Sequence, residues 1–334
     1  MLKRKLCALT LSAILAFVLL FCGCKPIPEQ KIKVYQGFSV HYLDVGQGDC
    51  IFIKFNDGKN MLIDTGVNDV RGDVFKFVNA YLNAHGVSKI DYLILTHPDS
   101  DHIGNAIKII DAYQIGRAYI PYISERLIDS AFPQYASVVN ELNKKQIEMA
   151  VSTIFNYIVG DDYQVAFLSP AQQTAPNGSY GQLNGTTVPD DSMINNISPI
   201  IYLQFEDTRF VFTGDALKSQ EEYVVDNYRS GLYSSVFDGY GITVNLMNID
   251  FLKVGHHGAE NATGEKFLTL LRPKNAIISV SENNAYGQPS SNVLSRLLVA
   301  NPDYSLYRTD VNGTIVVHKS NGNMRVTVQS TNSK

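Results

Sequence analysis

The chain has 334 residues, 45% of them hydrophobic, and a formal net charge of −4. It is too apolar for intrinsic disorder and long enough for one large domain or two small ones. The acidic balance excludes the footprint of a general nucleic-acid binder, which needs a basic face.

Lys3, Arg4 and Lys5 precede an apolar stretch from Leu6 to Cys22, the pattern of an export signal. A membrane anchor competes, because about 17 apolar residues are the lower limit for a span, but the ending decides against it. "LFCGC" resembles a bacterial lipoprotein signal with Cys24 as the lipid-modified first residue of the mature chain. Residues 1–23 are thus expected to be a signal peptide and 24–35 a tether to the outer face of the cell membrane. Loss of Lys3, Arg4 and Lys5, with no acid among residues 1–23, would take the net charge from −4 to −7, since −4 − 3 = −7. Cys50 would then be the one ordinary thiol, without a partner for an internal disulfide.

Strands are expected at "SVHYLDV", "CIFIKF" and "NMLIDTG", the last two joined through Asn56-Asp57-Gly58-Lys59, a hairpin signal. "DVFKFVNAYLNAHG" has helical spacing and ends on glycine, "IDYLILTH" is a buried strand, and "IGNAIKIIDAY" is another helix. A helix near Ser137 to Ile147 and a strand at "YQVAFLSP" follow, then a polar stretch from Ala171 to Asn196 that reads as a long surface loop. The second half gives the hairpin "PIIYLQF" and "RFVFTGD", a helix from about Leu217, the strand "IDFLKVGHHG", a helix near Glu265 and the strand "NAIISVS". The tail adds "DYSLYRTD" and a hairpin turned by Asn321-Gly322. Strands alternating with helices in both halves predict an α/β protein, a four-layer α/β/β/α sandwich over residues 36–330.

Four of the seven histidines fall in two short clusters. "HPDSDH" follows a strand; in extended chain His97, Asp99 and Asp101 face one way and His102 another, so one loop can feed two metal ions. The bland alternative is a solvated turn in which an aspartate caps the next helix. "FTGD" places Asp215 past a second strand, and "LKVGHHG" places His256 and His257 past a third. Three strand ends that each deliver metal-ligand side chains favour the metal reading.

With "LDVGQGDC", "LIDTG", "THPDSDHIGN", "NNISPIIYL", "FTGD", "LKVGHHG" and "YRTDVNGTI" in this order, the chain resembles the metallo-β-lactamase superfamily from about Phe38 to Val328. Within it, the chain is similar to the hydrolase domain of ComEC-type competence proteins. The resemblance implies two divalent ions, zinc or manganese, with His97 and Asp99 on the first, Asp101 and His102 on the second, and Asp215 bridging them. One of His256 and His257 completes the second site, with His256 favoured; Asp101 is expected to be essential to catalysis. Asp64 is expected to support the ligand loop without touching metal. Asn196 stands where many members place a further histidine, which makes the first site poorer in nitrogen and more hospitable to manganese.

Gly46 and Gly48 would let a tight turn run beside that loop, with Gln47 and Asp49 lining the site. Lys253 would meet a phosphate or snorkel from a sheet edge, and His41, His85 and His318 read as ordinary strand or surface histidines. Relatives often carry "N-x-Y-G-H-P" near the C-terminus; here Gln288 replaces that histidine.

The implied chemistry is phosphodiester hydrolysis through a metal-bound hydroxide, on DNA outside the membrane, beside a separate transport channel. A cell-envelope phosphodiesterase, such as a phosphocholine esterase, is the second reading, and a non-catalytic binding module the third. The ligand set argues against β-lactamase activity, and nothing in the sequence signals oligomerisation.

Overall fold

In the computed structural model, which describes residues 32–171 and 190–329, strands and helices alternate as the apolar spacing demands. The export segment, Cys24 and residues 172–189 of the polar stretch lie outside the described residues. The first sheet holds β1 (Ser39–Tyr42), β2 (Ile51–Lys54), β3 (Asn60–Ile63), β4 (Lys89–Ile94), β5 (Gln114–Ile120) and β6 (Glu148–Val151), together with β14 (Thr314–Ser320) and β15 (Asn323–Gln329). The second holds β7 (Tyr157–Val159), β8 (Tyr163–Phe167), β9 (Ile201–Phe205), β10 (Thr208–Phe212), β11 (Phe251–Lys253), β12 (Asn275–Ile278) and β13 (Ser305–Arg308). Their orders are β15-β14-β1-β2-β3-β4-β5-β6 and β13-β12-β11-β10-β9-β8-β7.

Both sheets are mixed. β3 to β6 run parallel, as do β10 to β13, and the remaining pairings are antiparallel. Alternate residues of β1 to β3, among them Val40, Tyr42, Ile53 and Met61, pack against Phe167, Leu203, Phe205 and Phe210 of the facing sheet. The Phe38 ring stacks on Phe205 with centroids 3.8 Å apart. Burial of this apolar face, at roughly 25 cal/mol per Å2, is what holds the sheets together.

Helices Lys218–Arg229, Glu265–Leu271 and Ser291–Ala300 cover the outer face of the second sheet with Val224, Val225, Phe267, Leu268, Val293 and Leu297. Helix Asp73–Ala84 lies on the outer face of the first, where Tyr81 Oη meets His41 Nδ1 of β1 at 2.8 Å. The result is the expected α/β/β/α sandwich. His41 and His85 are buried against Tyr81, away from the strand-end clusters.

The differences from expectation are local. β5, β6 and β7 do not stand out in the sequence, because Gly116 and Arg117 interrupt β5 and the other two are short. Gly116 is required there: a Cβ would lie 2.6 Å from the Asp91 carbonyl of β4. The middle helix spans Pro133–Lys144, starting on the proline, whose fixed φ and missing N–H suit a first turn. The polar stretch is not loop to its end. Residues Asp191–Asn195 form a short helix, with Asp190 accepting from Met193 N at 2.9 Å. No helix among the described residues is long and apolar enough to cross a membrane.

One fully buried acid belongs to a helix. Glu221 accepts from Thr263 N at 2.6 Å and Gly264 N at 2.7 Å, tying helix Lys218–Arg229 to the turn beyond the double histidine. Burial pushes its pKa up to about 7, against the two backbone N–H groups that favour the charged form. A carboxyl raised on folding stabilises the folded state fully below its ordinary value near 4.5, and that contribution is lost as pH rises through about 7. Relative to Glu221→Gln at equal metal loading, the wild type should therefore lose about 3 kcal/mol between those pH values and nothing further above them. Urea titrations across this range check it; a flat difference would refute it.

Candidate metal centre

The parallel strands β4, β10 and β11 finish at one end of the sandwich, and each is followed by a ligand-bearing turn. After β4 the chain does not stay extended: Ser100–Ile103 makes one helical turn with Asp99 at its N-cap position. The alternation expected of an extended loop is therefore lost, and both Asp101 and His102 turn inward, Asp101 Oδ2 lying 3.9 Å from His102 Nε2. Asp99 makes no side-chain capping bond; its Oδ2 lies 3.5 Å from His97 Nε2. That contact disfavours the capped-turn alternative.

Asp215 is the hub. Its Oδ1 lies 3.3 Å from His102 Nε2, and its Oδ2 lies 3.5 Å from His257 Nε2, 3.7 Å from His256 Nε2 and 3.9 Å from His97 Nε2. Beyond β11 the chain enters a tight turn in which His256 and His257 both adopt left-handed φ, 46° and 53°. Strand alternation again fails, so both rings face Asp215. His257 is buried and also reaches Asp101 Oδ2 at 3.3 Å, whereas His256 is partly exposed. His257 therefore closes the group with Asp101 and His102, contrary to the preference for His256.

The opposite nitrogen of each ring is engaged. His102 Nδ1 donates to Asp64 Oδ2 at 2.7 Å, and His257 Nδ1 donates to the Ser279 carbonyl at 2.8 Å. His97 Nδ1 lies 3.0 Å from Thr96 Oγ1 and 3.2 Å from Ser198 Oγ, and His256 Nδ1 is 3.1 Å from Asn261 Oδ1. Asp64, itself at a strained φ of 57°, also accepts from Thr96 N and Oγ1. Such outer bonds fix ring tautomers so that Nε2 presents its lone pair to the cluster.

Nε2 of His97, His102 and His257 and Oδ1 of Asp215 are buried and have no hydrogen-bond partner. Burial alone would lower the pKa of His102, but Asp215, Asp64 and Asp101 together hold it well above the ordinary value. His257 is likewise raised, by Asp215, Asp101 and Asp49 against the effect of burial. Burial disfavours charge on Asp215 and Asp101 too, yet the neighbouring imidazoles keep both below the usual carboxylate range. This is a pocket of anionic oxygens and orphaned nitrogens that demands positive charge. His97, His102 and Asp215, and likewise Asp101, His102 and His257, offer ligand atoms within 4.8 Å of one another, so the donor set fits divalent cations.

The supporting residues depart from expectation in two places. Lys253 neither snorkels nor faces the cleft: it is fully buried, its Nζ 2.8 Å from Asp49 Oδ2 and 3.1 Å from the Val254 carbonyl. A buried carboxylate so close captures it, and Asp49 in turn sits 3.8 Å from His257 Nδ1. Asn196 turns away, bonding Ser219 Oγ and the Leu217 amide, while Asn195, which the sequence reading missed, is buried and lines the cleft. A one-residue offset within a helical turn carries no sequence signal.

Gly48 performs the expected close approach: with φ 132°, a Cβ there would lie 2.2 Å from the Asp101 carbonyl. Gln47 Nε2 donates to Gln288 Oε1 at 2.7 Å, and Gln288 Nε2 donates to the His256 carbonyl at 3.3 Å. Both glutamines line an open cleft of about 650 Å3 that ends on Asp99, Asp101 and Asp215.

A mixed-sheet sandwich with a histidine and aspartate cluster where its strands end defines a metallo-β-lactamase scaffold. The sequence model of the "Metallo-beta-lactamase superfamily" matches residues 43–184, and over that part the chain is similar to this superfamily. Its relatives are competence-type proteins. It is 29% identical to "ComE operon protein 3" of Bacillus subtilis (strain 168), over 83% of this chain and 32% of that protein. It is 25% identical to "Competence protein ComA" of Neisseria gonorrhoeae, over 81% of this chain and 31% of that protein. The chain thus spans about a third of the length of these relatives. Among solved structures, CmlA from Streptomyces venezuelae, described as a diiron β-hydroxylase, is 13% identical, with a TM-score of 0.46 over 82% of this chain and 53% of that one.

Removing the Lys253 charge alone should strand Asp49 in the core. Lys253→Met is expected to lose about 3–5 kcal/mol, with most of it recovered in Lys253→Met/Asp49→Leu. Urea unfolding of both variants at neutral pH is the measurement, and a fully stable single variant would rule the pair out as a structural element.

Proposed function

We propose that the chain is a metal-dependent phosphodiesterase that acts on DNA outside the cytoplasmic membrane. The observation that carries this reading is the convergence of orphaned, buried Nε2 atoms on the single carboxylate of Asp215. His97 and Asp99 would hold one ion and Asp101, His102 and His257 a second, with Asp215 between them and His256 within reach. Divalent ions in such a pair activate water and neutralise the charge that builds on a phosphodiester under attack. The first set, with one imidazole and two carboxylates, suits manganese as well as zinc, and the second is richer in nitrogen.

The chain's own residues supply order. Asp64 fixes the His102 ring and, through Thr96, the start of the ligand loop. Ser198 Oγ lies within 3.2 Å of His97 Nδ1 and 3.4 Å of the Asp215 amide nitrogen, setting those two groups relative to each other. Gln288, itself held by Gln47, fixes the His256 backbone.

The competence name of the gonococcal relative supports DNA as substrate. The export segment and Cys24 support attachment to the membrane by a lipid, and a separate transport channel would work beside the enzyme. One observation favours a second reading. Five carboxylates, including Asp191 and Glu260, and Lys218 as the single cation line the cleft among the described residues. That balance suits a small phosphodiester, such as a cell-envelope phosphocholine ester, better than a long polyanion.

The test is hydrolysis of DNA, bis-p-nitrophenyl phosphate and a phosphocholine ester by the manganese- or zinc-loaded chain. Asp101→Ala should lose at least about 100-fold of turnover with an unchanged far-ultraviolet circular dichroism spectrum, since it removes a ligand and little packing. Inactivity of the wild type on every ester would leave a non-catalytic binding module. Metal titrations should place the affinity loss of His257→Ala above that of His256→Ala. Chelation should lower Tm by several degrees, because an ion bound to the folded state alone stabilises it.

A further inference from the structure

One side chain in the cleft is unlike its neighbours. Tyr286 carries the single six-membered ring among the described lining residues, in a wall otherwise made of carboxylates, amides, imidazoles, one lysine and small groups. Its side chain is unburied: the residue is 75% exposed, more than the other exposed aromatics Phe155 and Tyr240, while most of the described aromatics fill the cores. A large ring left in water at a cleft mouth has apolar faces without a partner.

The turn that carries the ring is also fixed. Asn284 staples the turn that carries it: its Nδ2 donates to the Ser281 and Gln288 carbonyls at 3.1 and 2.6 Å, and its Oδ1 accepts from Tyr286 N at 3.2 Å and Gln288 N at 3.0 Å. Through Gln288 the turn is fixed to Gln47 and to the backbone of His256. The backbone that carries the ring is thus held beside the histidine turn, and little backbone entropy remains to be lost there when a ligand packs on it.

We infer that Tyr286 is a stacking platform that receives a planar ring of the substrate, a nucleobase next to the phosphodiester seated over Asp215. This rests on the phosphodiesterase reading and narrows it to a strand with unstacked bases, since a paired base has no free face to offer. It also relieves the electrostatic objection to DNA in an acidic cleft. Stacking engages every base type and supplies binding that does not depend on positive side chains.

Binding and cleavage separate the two ideas. Fluorescence anisotropy with the manganese-loaded full chain would compare a labelled phosphorothioate oligothymidylate, which resists hydrolysis, with a strand of the same backbone lacking bases. The wild type should prefer the base-bearing strand by about 10-fold or more. That ratio should fall close to one in Tyr286→Ala and persist in Tyr286→Phe, which keeps the ring and loses the hydroxyl. A ratio near one in the wild type, or one unchanged in Tyr286→Ala, overturns the platform. Cleavage of ordinary single-stranded DNA is scored separately: base-dependent binding without cleavage retains the platform and defeats the hydrolase reading, and cleavage without base preference does the reverse.

Discussion

The architecture turns on one carboxylate. Asp215 stands where the turn after β10, the ligand loop after β4 and the turn after β11 meet, and each oxygen faces at least one imidazole. Its placement needs the two sheets at a fixed separation, because His97 and His102 come from the first and Asp215, His256 and His257 from the second. Gly214, at φ 50°, brings this turn so close that a Cβ would press on Ser198 and Thr96 at 3.2 Å. The aromatic and aliphatic packing between the sheets therefore sets the geometry of a polar centre lying beyond it.

Around that carboxylate, charge is arranged in shells. Asp64 and Asp49 are buried: Asp64 is tied to His102, and Asp49 to Lys253 and, more distantly, to His257. The Lys253 ammonium offsets one buried negative charge without entering the cleft, so the inner cluster keeps a surplus of anionic and neutral donors. A region with that surplus is stable only if protons or cations share it. The raised histidines and lowered aspartates express this in the absence of metal.

Much of this was legible in the sequence, for a physical reason. Metal-ligand side chains at strand ends come in short runs, so "HPDSDH", "FTGD" and "GHHG" declare themselves, and the flanking strands carry clean apolar patterns. What local pattern cannot carry is backbone direction. The helical turn at Ser100–Ile103 and the left-handed pair His256 and His257 both broke the alternation assumed for extended chain. The choice of Asn195 over Asn196 at the cleft was lost for the same reason. Lys253 was misread because its partner Asp49 lies far away in sequence, and only the pairing of the sheets brings the two together. The short strands β6 and β7 were hidden by their length, and β5 by a glycine whose purpose is a contact with β4.

The division of the ligands between two sheets has a mechanical meaning. An ion gripped by His102 on one side and by Asp215 and His257 on the other would act as a rivet through the seam of the sandwich. Any fluctuation that parts the sheets at this end must also break coordination, so seam opening and ion release become one event. Amide protons flanking the seam, in β4 and β10, would then exchange in step, slowing together when the rivet is in place.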